Sequence, residues 1–308
     1  MAEPRLSIIV VSYNTREMTL DCLRSIVTET ETPYELIVVD NASGDGSAEA
    51  IAAEFPDLDL MAETKNHGFA RANNLAVARA RGEYILLLNP DTVVHDRALD
   101  RLLAYAETTP AARIWGGRTI YADGRLNPYS CWRRMTLWNI FCRTSGLAAL
   151  FPGSAIFNAE AYGGWDRGNA APVDIVTGCL FLIRRADWQT LGGFDPAFIM
   201  YGEEADLCFR AMRELGAQPH ITPEATIVHY GAASERVQAD KMVRILRAKM
   251  ELIRRHFPSW QRAPASALFR LWPLSRRWVA GLVPGRRTSA DAWREIWARR
   301  AEWERGFD

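Results

Sequence analysis

Four groups of polar residues close apolar runs in this chain. Ser12-Tyr13-Asn14 follows "LSIIVV", Asp40-Asn41 follows "ELIVV", Asn89-Pro90-Asp91 follows "YILLL", and His229 follows "TIV". Pro90 cannot donate to a sheet ladder, so the strand before it must stop there. Taken singly, a polar residue after a strand is a turn former or a helix cap. In an open parallel sheet, however, the strand C-termini are where ligands bind. Four such groups on one rim therefore raise the question of what the carboxylates, amides and imidazole hold. In "DNASGDGS", Gly44 and Gly46 permit close backbone approach, and Ser43 or Asp45 can cap the next helix. "GEEADLCFRAMRELG" adds Glu203 and Glu204 at a helix N-terminus, where the dipole favours the ionised carboxylate.

The elements that must carry these residues alternate in period. Strands read at 6–12, 35–40, weakly near 58–63, and at 84–89. Helices read at 16–28, 46–55, 68–80 and about 96–107, and "RIWGGRTI" is a further strand. Such alternation implies a parallel sheet with helices on both faces and all strand C-termini along one rim. Residues 121–172 are irregular and rich in Gly, Pro and aromatics, which suits a lid or an acceptor-binding insertion. Its aromatics, Trp165 among them, are either an acceptor wall or packing residues. "VDIVTGCLFLIRR" (173–185) reads as a strand, 202–216 as a helix closed by Gly216, and 235–257 as an amphipathic helix. On that last helix Ala239, Val243, Leu246, Met250, Ile253 and Phe257 share one side.

The chain has 308 residues, is 48% apolar and 24% charged, and has zero formal net charge. Its two parts differ: residues 232–308 carry 17 Lys+Arg against 8 Asp+Glu, a net +9, leaving −9 for residues 1–231. Six of the 11 Trp also lie in that basic tail. Five scattered Cys without CxxC spacing suit reduced thiols rather than a disulfide frame or zinc site. No signal-peptide pattern opens the chain, and no apolar run nears the ~18 residues that span a bilayer. The expected location is cytoplasmic, or peripheral on the inner face of the cytoplasmic membrane.

Six blocks together point to a family: "SIIVVSYN", "ELIVVDNASGDGS", "NHGFARANN", "LLLNPDT", "VTGCLFLIRR…LGGFDPAFIMYGEEADLCFR" and "IVHYGAAS". In this order they resemble the family 2 glycosyltransferases, in particular the bacterial rhamnosyltransferase-like and galactofuranosyltransferase-like branch, over about residues 6–234. The resemblance implies an α/β GT-A (Rossmann-like) fold: a mostly parallel central sheet flanked by helices. Residues 1–231 would be the catalytic domain, with 1–120 binding the nucleotide sugar and 121–231 serving acceptor and catalysis. Residues 232–308 would form a helical C-terminal extension.

The same resemblance assigns roles. Ser12, Tyr13, Asn14 and Asp40 would grip the pyrimidine and ribose of a UDP- or dTDP-sugar. A carboxylate accepts from the N3–H of uracil or thymine, a group that a purine lacks at that place. Asn66, Gly68 and Asn73 would lie near the nucleotide, with the helix that starts near Gly68 facing the diphosphate. "NPD" occupies the family's Asp-x-Asp metal motif. Here Asn89 replaces the first acid, so Asp91 becomes the direct ligand of Mn2+ or Mg2+, and His229 the second; an imidazole favours Mn2+. Gly178 would lie beneath the sugar. Glu204 would be the base that activates the acceptor hydroxyl, with Glu203 as its neighbour or substitute. Attack opposite the leaving group inverts the anomeric centre.

Expected partners are the donor and a glycan or lipid-linked acceptor, as in cell-surface polysaccharide synthesis, with no nucleic acid. For the basic tail two readings stay open. It either lies on an anionic membrane through residues 235–305, or packs on the catalytic domain or a second subunit as a homodimer. A sugar nucleotidyltransferase would need a Gly-rich loop after strand one, and "SYNTREM" has no glycine. The alternative of a non-catalytic nucleotide-sugar binder on the same fold stays open, and Asp91, Glu204 and His229 together argue against it.

Overall fold

The computed structural model describes residues 3–231, 239–282 and 287–307. In chain order the elements begin β1 (Leu6–Ser12), α1 (Arg16–Glu29), β2 (Tyr34–Asp40), α2 (Ser47–Glu54), β3 (Asp59–Ala62), α3 (Phe69–Val77) and β4 (Tyr84–Leu88). Next come β5 (Thr92–Val94), α4 (Ala98–Thr108), β6 (Ile114–Ile120), β7 (Leu126–Asn127), β8 (Cys131–Trp132), α5 (Leu137–Ser145) and α6 (Leu147–Leu150). The chain continues with β9 (Ala171–Pro172), β10 (Ile175–Val176), β11 (Leu180–Arg184), α7 (Arg185–Leu191), α8 (Glu203–Leu215) and β12 (His220–His229). Three helices end it: α9 (Ala239–His256), α10 (Ser259–Leu282) and α11 (Arg287–Ala298).

Two compact units result. One comprises Met1–Trp132, Asp166–Ile199 and Glu203–Gly231; the other comprises Arg133–Trp165, Met200–Gly202 and Ala232–Asp308.

The first unit is built on a sheet of order β3-β2-β1-β4-β11-β6-β12-β5, with β7 beside β6 and β9 beside β12. Every residue of β1 is buried, as a central strand covered on both faces requires. On one face Leu6, Ile8 and Val10 join Leu20, Leu23 and Ile26 of α1 and Leu99, Leu102 and Leu103 of α4 in one core. Each such side chain is worth about 1.5–3 kcal/mol relative to exposure.

The strands β1, β2, β3 and β4 are mutually parallel, and β12 is parallel to β6. Within this mostly parallel sheet, β11 runs antiparallel to both β4 and β6. Antiparallel neighbours need no helical crossover, and β11 is reached through the long excursion after β6. The beginning of β11, not its end, therefore lies on the binding rim.

The run 173–185 is also not one strand. β10 pairs with β8, β11 pairs within the main sheet, and Thr177 turns the chain between them by donating to the Tyr129 carbonyl at 2.8 Å.

The second unit has its own core. Val243, Leu246, Met250, Ile253 and Phe257 of α9 pack with Ile140 of α5, Phe269 and Trp272 of α10, Trp293 and Ile296 of α11, and Trp303. The apolar side expected on the helix over 235–257 is thus the packed face of α9; positions 235–238 lie outside the described residues. Beneath this core Glu160 is buried and accepts from Arg143 Nη2 at 2.8 Å and Lys249 Nζ at 2.5 Å. Burial by itself raises the Glu160 carboxyl, but Arg143 and Lys249 overcome it and hold the group at about 2.

Glu160→Gln leaves both cations without their anion and should destabilise the protein by about 3 kcal/mol, read as a lower urea midpoint. The stabilisation from Glu160 is complete above its ordinary value of 4.5 and fades as pH falls toward 2. The difference between wild type and variant should therefore narrow across that window.

Candidate active site

The rim residues are set by the strands that end there. β1 and β2 pair Ser12 with Asp40, so two predicted nucleotide contacts are neighbours by register alone. Ser12 itself is wholly buried, with its hydroxyl 2.9 Å from that of Thr19 and 3.2 Å from that of Thr15. It anchors the start of α1, while Tyr13 beside it is half exposed.

Asn14 has a left-handed backbone, φ 53°, and ties two loops together. Its N–H donates to Ser43 Oγ at 2.9 Å, and its Oδ1 accepts from Gly44 N at 2.8 Å. Asp45 extends the staple by accepting from Arg16 N at 3.0 Å. Its carboxyl is held below its usual range, mainly by the Ser47 hydroxyl.

Asp40 is 2% exposed. One of its oxygens accepts from Ser43 N at 3.0 Å; the other is buried without a partner. Such an atom costs its desolvation until a donor reaches it.

Asn41, next in sequence, organises the loop that follows β3. Its amide donates to Asn66 Oδ1 at 3.1 Å, and its Oδ1 accepts from His67 N at 2.8 Å. Asn66 in turn accepts from Gly68 N at 2.8 Å. Asn66 and Gly68 thus come together in one clasp. Asn73 stands elsewhere, buried in α3 with its amide on the Phe69 carbonyl at 2.9 Å. Its neighbour Asn74, which the sequence reading passed over, grips Phe194 twice, at 2.7 and 3.0 Å.

Gly68 has φ +75°, and a Cβ there would lie 2.5 Å from the Ile199 carbonyl oxygen. That oxygen accepts from Phe69 N at 2.9 Å, latching the 193–199 segment onto the start of α3. Gly178, just before β11, faces the Phe69 ring closely enough that a Cβ would sit 3.2 Å from it.

The carboxylate of "NPD" is positioned from two sides. Asn89 N donates to the Cys179 carbonyl at 3.3 Å, and the Asn89 carbonyl accepts from Thr92 Oγ1 at 2.8 Å and from Cys22 Sγ at 3.6 Å. Burial pushes the Cys22 thiol up to about 12, so it stays protonated and remains a donor. β5 and β12 then pair Thr92 with His229, and Tyr230 N donates to the Asp91 carbonyl at 2.9 Å.

This ladder puts Asp91 Oδ1 3.3 Å from His229 Nε2. Asn127 Nδ2 holds the His229 carbonyl at 3.2 Å. Burial by itself lowers the His229 imidazolium, but the Cys179 sulfur and the Asp91 carboxylate outweigh it and push the group up to about 10.

Asp91 and His229 fit a divalent cation. A Cβ on Gly231 would stand 2.8 Å from His229 Nε2 and 3.0 Å from Asp91 Oδ2, so the absence of a side chain keeps that space open. A cation entering there displaces the proton that Asp91 otherwise holds on His229, and a carboxylate oxygen with a neutral imidazole nitrogen suits Mn2+ better than an all-oxygen set would. Among the described residues no group of three or more His, Cys, Asp or Glu gathers as a metal cluster. Two protein donors match a cation that takes its other ligands from phosphate and water.

Glu203 is buried and Glu204 half-buried in the first turn of α8, where Asp206 joins them. Asp206 accepts from Arg210 Nε at 2.7 Å, and the same guanidinium holds the Leu191 and Gly193 carbonyls at 2.6 and 2.8 Å. This i,i+4 pair on α8 therefore also fixes the loop after α7.

The family model described as glycosyl transferase family 2 matches residues 7–164, just over half of the chain. An N-acetylglucosaminyl-diphospho-decaprenol L-rhamnosyltransferase of Mycobacterium tuberculosis is 26% identical over 247 residues, 74% of this chain and 77% of that protein. Among solved structures, the mannosyltransferase PcManGT from Pyrobaculum calidifontis, in complex with GDP-Man and Mn2+, aligns with TM-score 0.57 and 19% identity over 99% of this chain and 88% of its own. S. aureus TarS 1–349 in complex with UDP-GlcNAc aligns with TM-score 0.53 and 16% identity over 97% of this chain and 89% of its own. At such identities the structural likeness speaks for the fold, a GT-A arrangement.

Gly68→Ala meets the Ile199 carbonyl and a disfavoured φ together, and should cost about 2–3 kcal/mol. Hydrogen exchange should show faster exchange at the Phe69 amide and across 193–199, with the β1 amides unchanged.

Proposed function

Because the chain belongs to glycosyl transferase family 2, we propose that it is an inverting glycosyltransferase using a UDP- or dTDP-sugar. The acceptor in this reading is a hydroxyl of a lipid-linked glycan in bacterial cell-surface polysaccharide synthesis. The observation that carries the reading is the Asp91–His229 pair, 3.3 Å apart on the rim where the nucleotide-binding strands end. The rhamnosyl transfer to a diphospho-decaprenol acceptor in the name of the mycobacterial relative supports rhamnose as the sugar.

In this reading the donor lies along the rim with its base at the end of β2. The unpartnered Asp40 oxygen accepts from the pyrimidine N3–H, a donor that a purine does not offer there. Asn14, Ser43 and Gly44 shape the wall of that pocket through their mutual bonds. Gly178 leaves room beneath the sugar. Asp91 and His229 would hold a divalent cation, which would supply positive charge to offset that of the departing diphosphate.

Glu204, in the first turn of α8, takes the proton of the acceptor hydroxyl as its oxygen attacks the anomeric carbon. The new C–O bond forms on one face as the bond to the diphosphate oxygen breaks on the other, so the configuration inverts. Glu203, buried beside Glu204, positions that first turn. No covalent intermediate is required.

Asp91→Ala and Glu204→Ala should each lower transfer by about 10³-fold or more. They should separate in donor binding: with Mn2+ present, Asp91→Ala weakens nucleotide affinity at least about tenfold, while Glu204→Ala stays near wild type. Near-normal turnover in Glu204→Ala would refute the base assignment. In thermal-shift measurements UDP and dTDP with Mn2+ should raise Tm more than GDP does, and Asp40→Ala should erase that preference.

A further inference from the structure

The six Trp of the basic tail divide by environment. Trp272, Trp293 and Trp303 are buried and Trp297 packs against the same core, whereas Trp260 and Trp278 are 72% and 68% exposed. Both exposed indoles lie on α10. This helix buries Ala265, Phe269 and Trp272 on its inner side, and its outer side is apolar as well. Trp260, Pro264, Ala267, Leu271, Leu274 and Trp278 follow one another at alternating four- and three-residue steps, the spacing of a single helical stripe. All are exposed except Leu274, which is half-buried. From Trp260 to Trp278 the stripe runs for about 27 Å.

A helix that is apolar on both sides has a second neighbour, and charge identifies it. α10 contains four Arg and no Asp or Glu. Arg270 and Arg277, both exposed, run along one flank of the stripe. The unit that contains α10 has 20 Lys+Arg against 9 Asp+Glu, a net +11. A second copy of the chain brought to this stripe would set like charges against each other. α5, packed on α10 through Thr144 Oγ1 to the Leu268 carbonyl at 3.2 Å, also turns apolar groups outward. Its Trp138 and Phe141 stack with centroids 5.7 Å apart and are both exposed.

We infer that the outer stripe of α10 is a docking surface for an anionic lipid bilayer. Trp260, Leu271 and Trp278 enter the headgroup–acyl boundary, and Arg270 and Arg277 meet lipid phosphates. Indole rings favour that boundary, and each Lys or Arg near an anionic surface adds about 1 kcal/mol. No helix among the described residues is long and apolar enough to cross a membrane; this contact lies on the surface. The inference stands apart from the catalytic reading, since it uses no residue of the rim.

The test is flotation of the full chain with vesicles of phosphatidylcholine, with and without phosphatidylglycerol. Wild type should float with the mixed vesicles and about tenfold less with pure phosphatidylcholine, and its tryptophan emission should shift to the blue. The triple variant Trp260→Ser, Leu271→Ser, Trp278→Ser should lose at least about tenfold in partitioning, with an unchanged melting transition. Arg270→Gln with Arg277→Gln should reduce the preference for the anionic lipid and the salt sensitivity of binding, and this variant keeps the test valid should the triple variant fold poorly. The inference falls if wild type floats with neither vesicle, or if the triple variant floats as wild type does. It falls equally if, without lipid, wild type is a dimer that the triple variant breaks.

Discussion

The pairing of β5 with β12 is the constraint on which the site rests. β5 is three residues long and its one role in the sheet is to lie antiparallel to the end of β12, Thr92 opposite His229. That register brings a carboxylate from the end of one core strand to an imidazole from the end of another. Neither side chain could be aimed by its own strand alone, because β4 and β12 are separated in the sheet by β11 and β6. The backbone ladder does the aiming, and the buried Cys22 thiol and the Thr92 hydroxyl fix the turn between β4 and β5.

A second principle governs the side of the rim formed by the ends of β1, β2 and β3. Loops there are held by side-chain amides bonding to backbone groups rather than by apolar packing. Asn14, Asn41 and Asn74 each bridge segments distant in sequence, and Asn66 links Asn41 to Gly68. Each bond is worth only about 1 kcal/mol net, yet together they hold the loops in place before any ligand arrives. Pre-set loops reduce the ordering cost of binding. The unpartnered Asp40 oxygen stands out against that background because nearly every group around it is satisfied.

Much of this was legible in the amino-acid order. Strand and helix periods located β1, β2, β4 and α1 closely, because a strand buried on both faces reads as an unbroken Val/Ile/Leu run and an amphipathic helix does not. The rim residues could be found for the same reason: a polar residue that ends such a run must sit at the sheet edge. The direction of β11 was not legible, since direction depends on how a distant excursion returns and not on local composition. The break at Thr177–Cys179 was hidden by flanking residues that all favour strands. The burial of Ser12 and the inward turn of Asn73 were likewise invisible, because a strand-end serine and a helical asparagine look alike whether they face a ligand or their own helix. In the tail the pattern revealed the packed side of α9. The two faces of α10 are both apolar, so hydropathy alone cannot say which one is covered.

The shortness of β5 has a consequence for how this protein can vary. Asp91 directly precedes β5 and His229 pairs with Thr92, so one residue inserted between Asp91 and Thr92 would displace the carboxylate by about 3.3 Å along the chain and part it from the imidazole. The segment behaves as a fixed ruler: the side chains at its marks set what the site can hold, and the spacing between them sets whether those side chains meet.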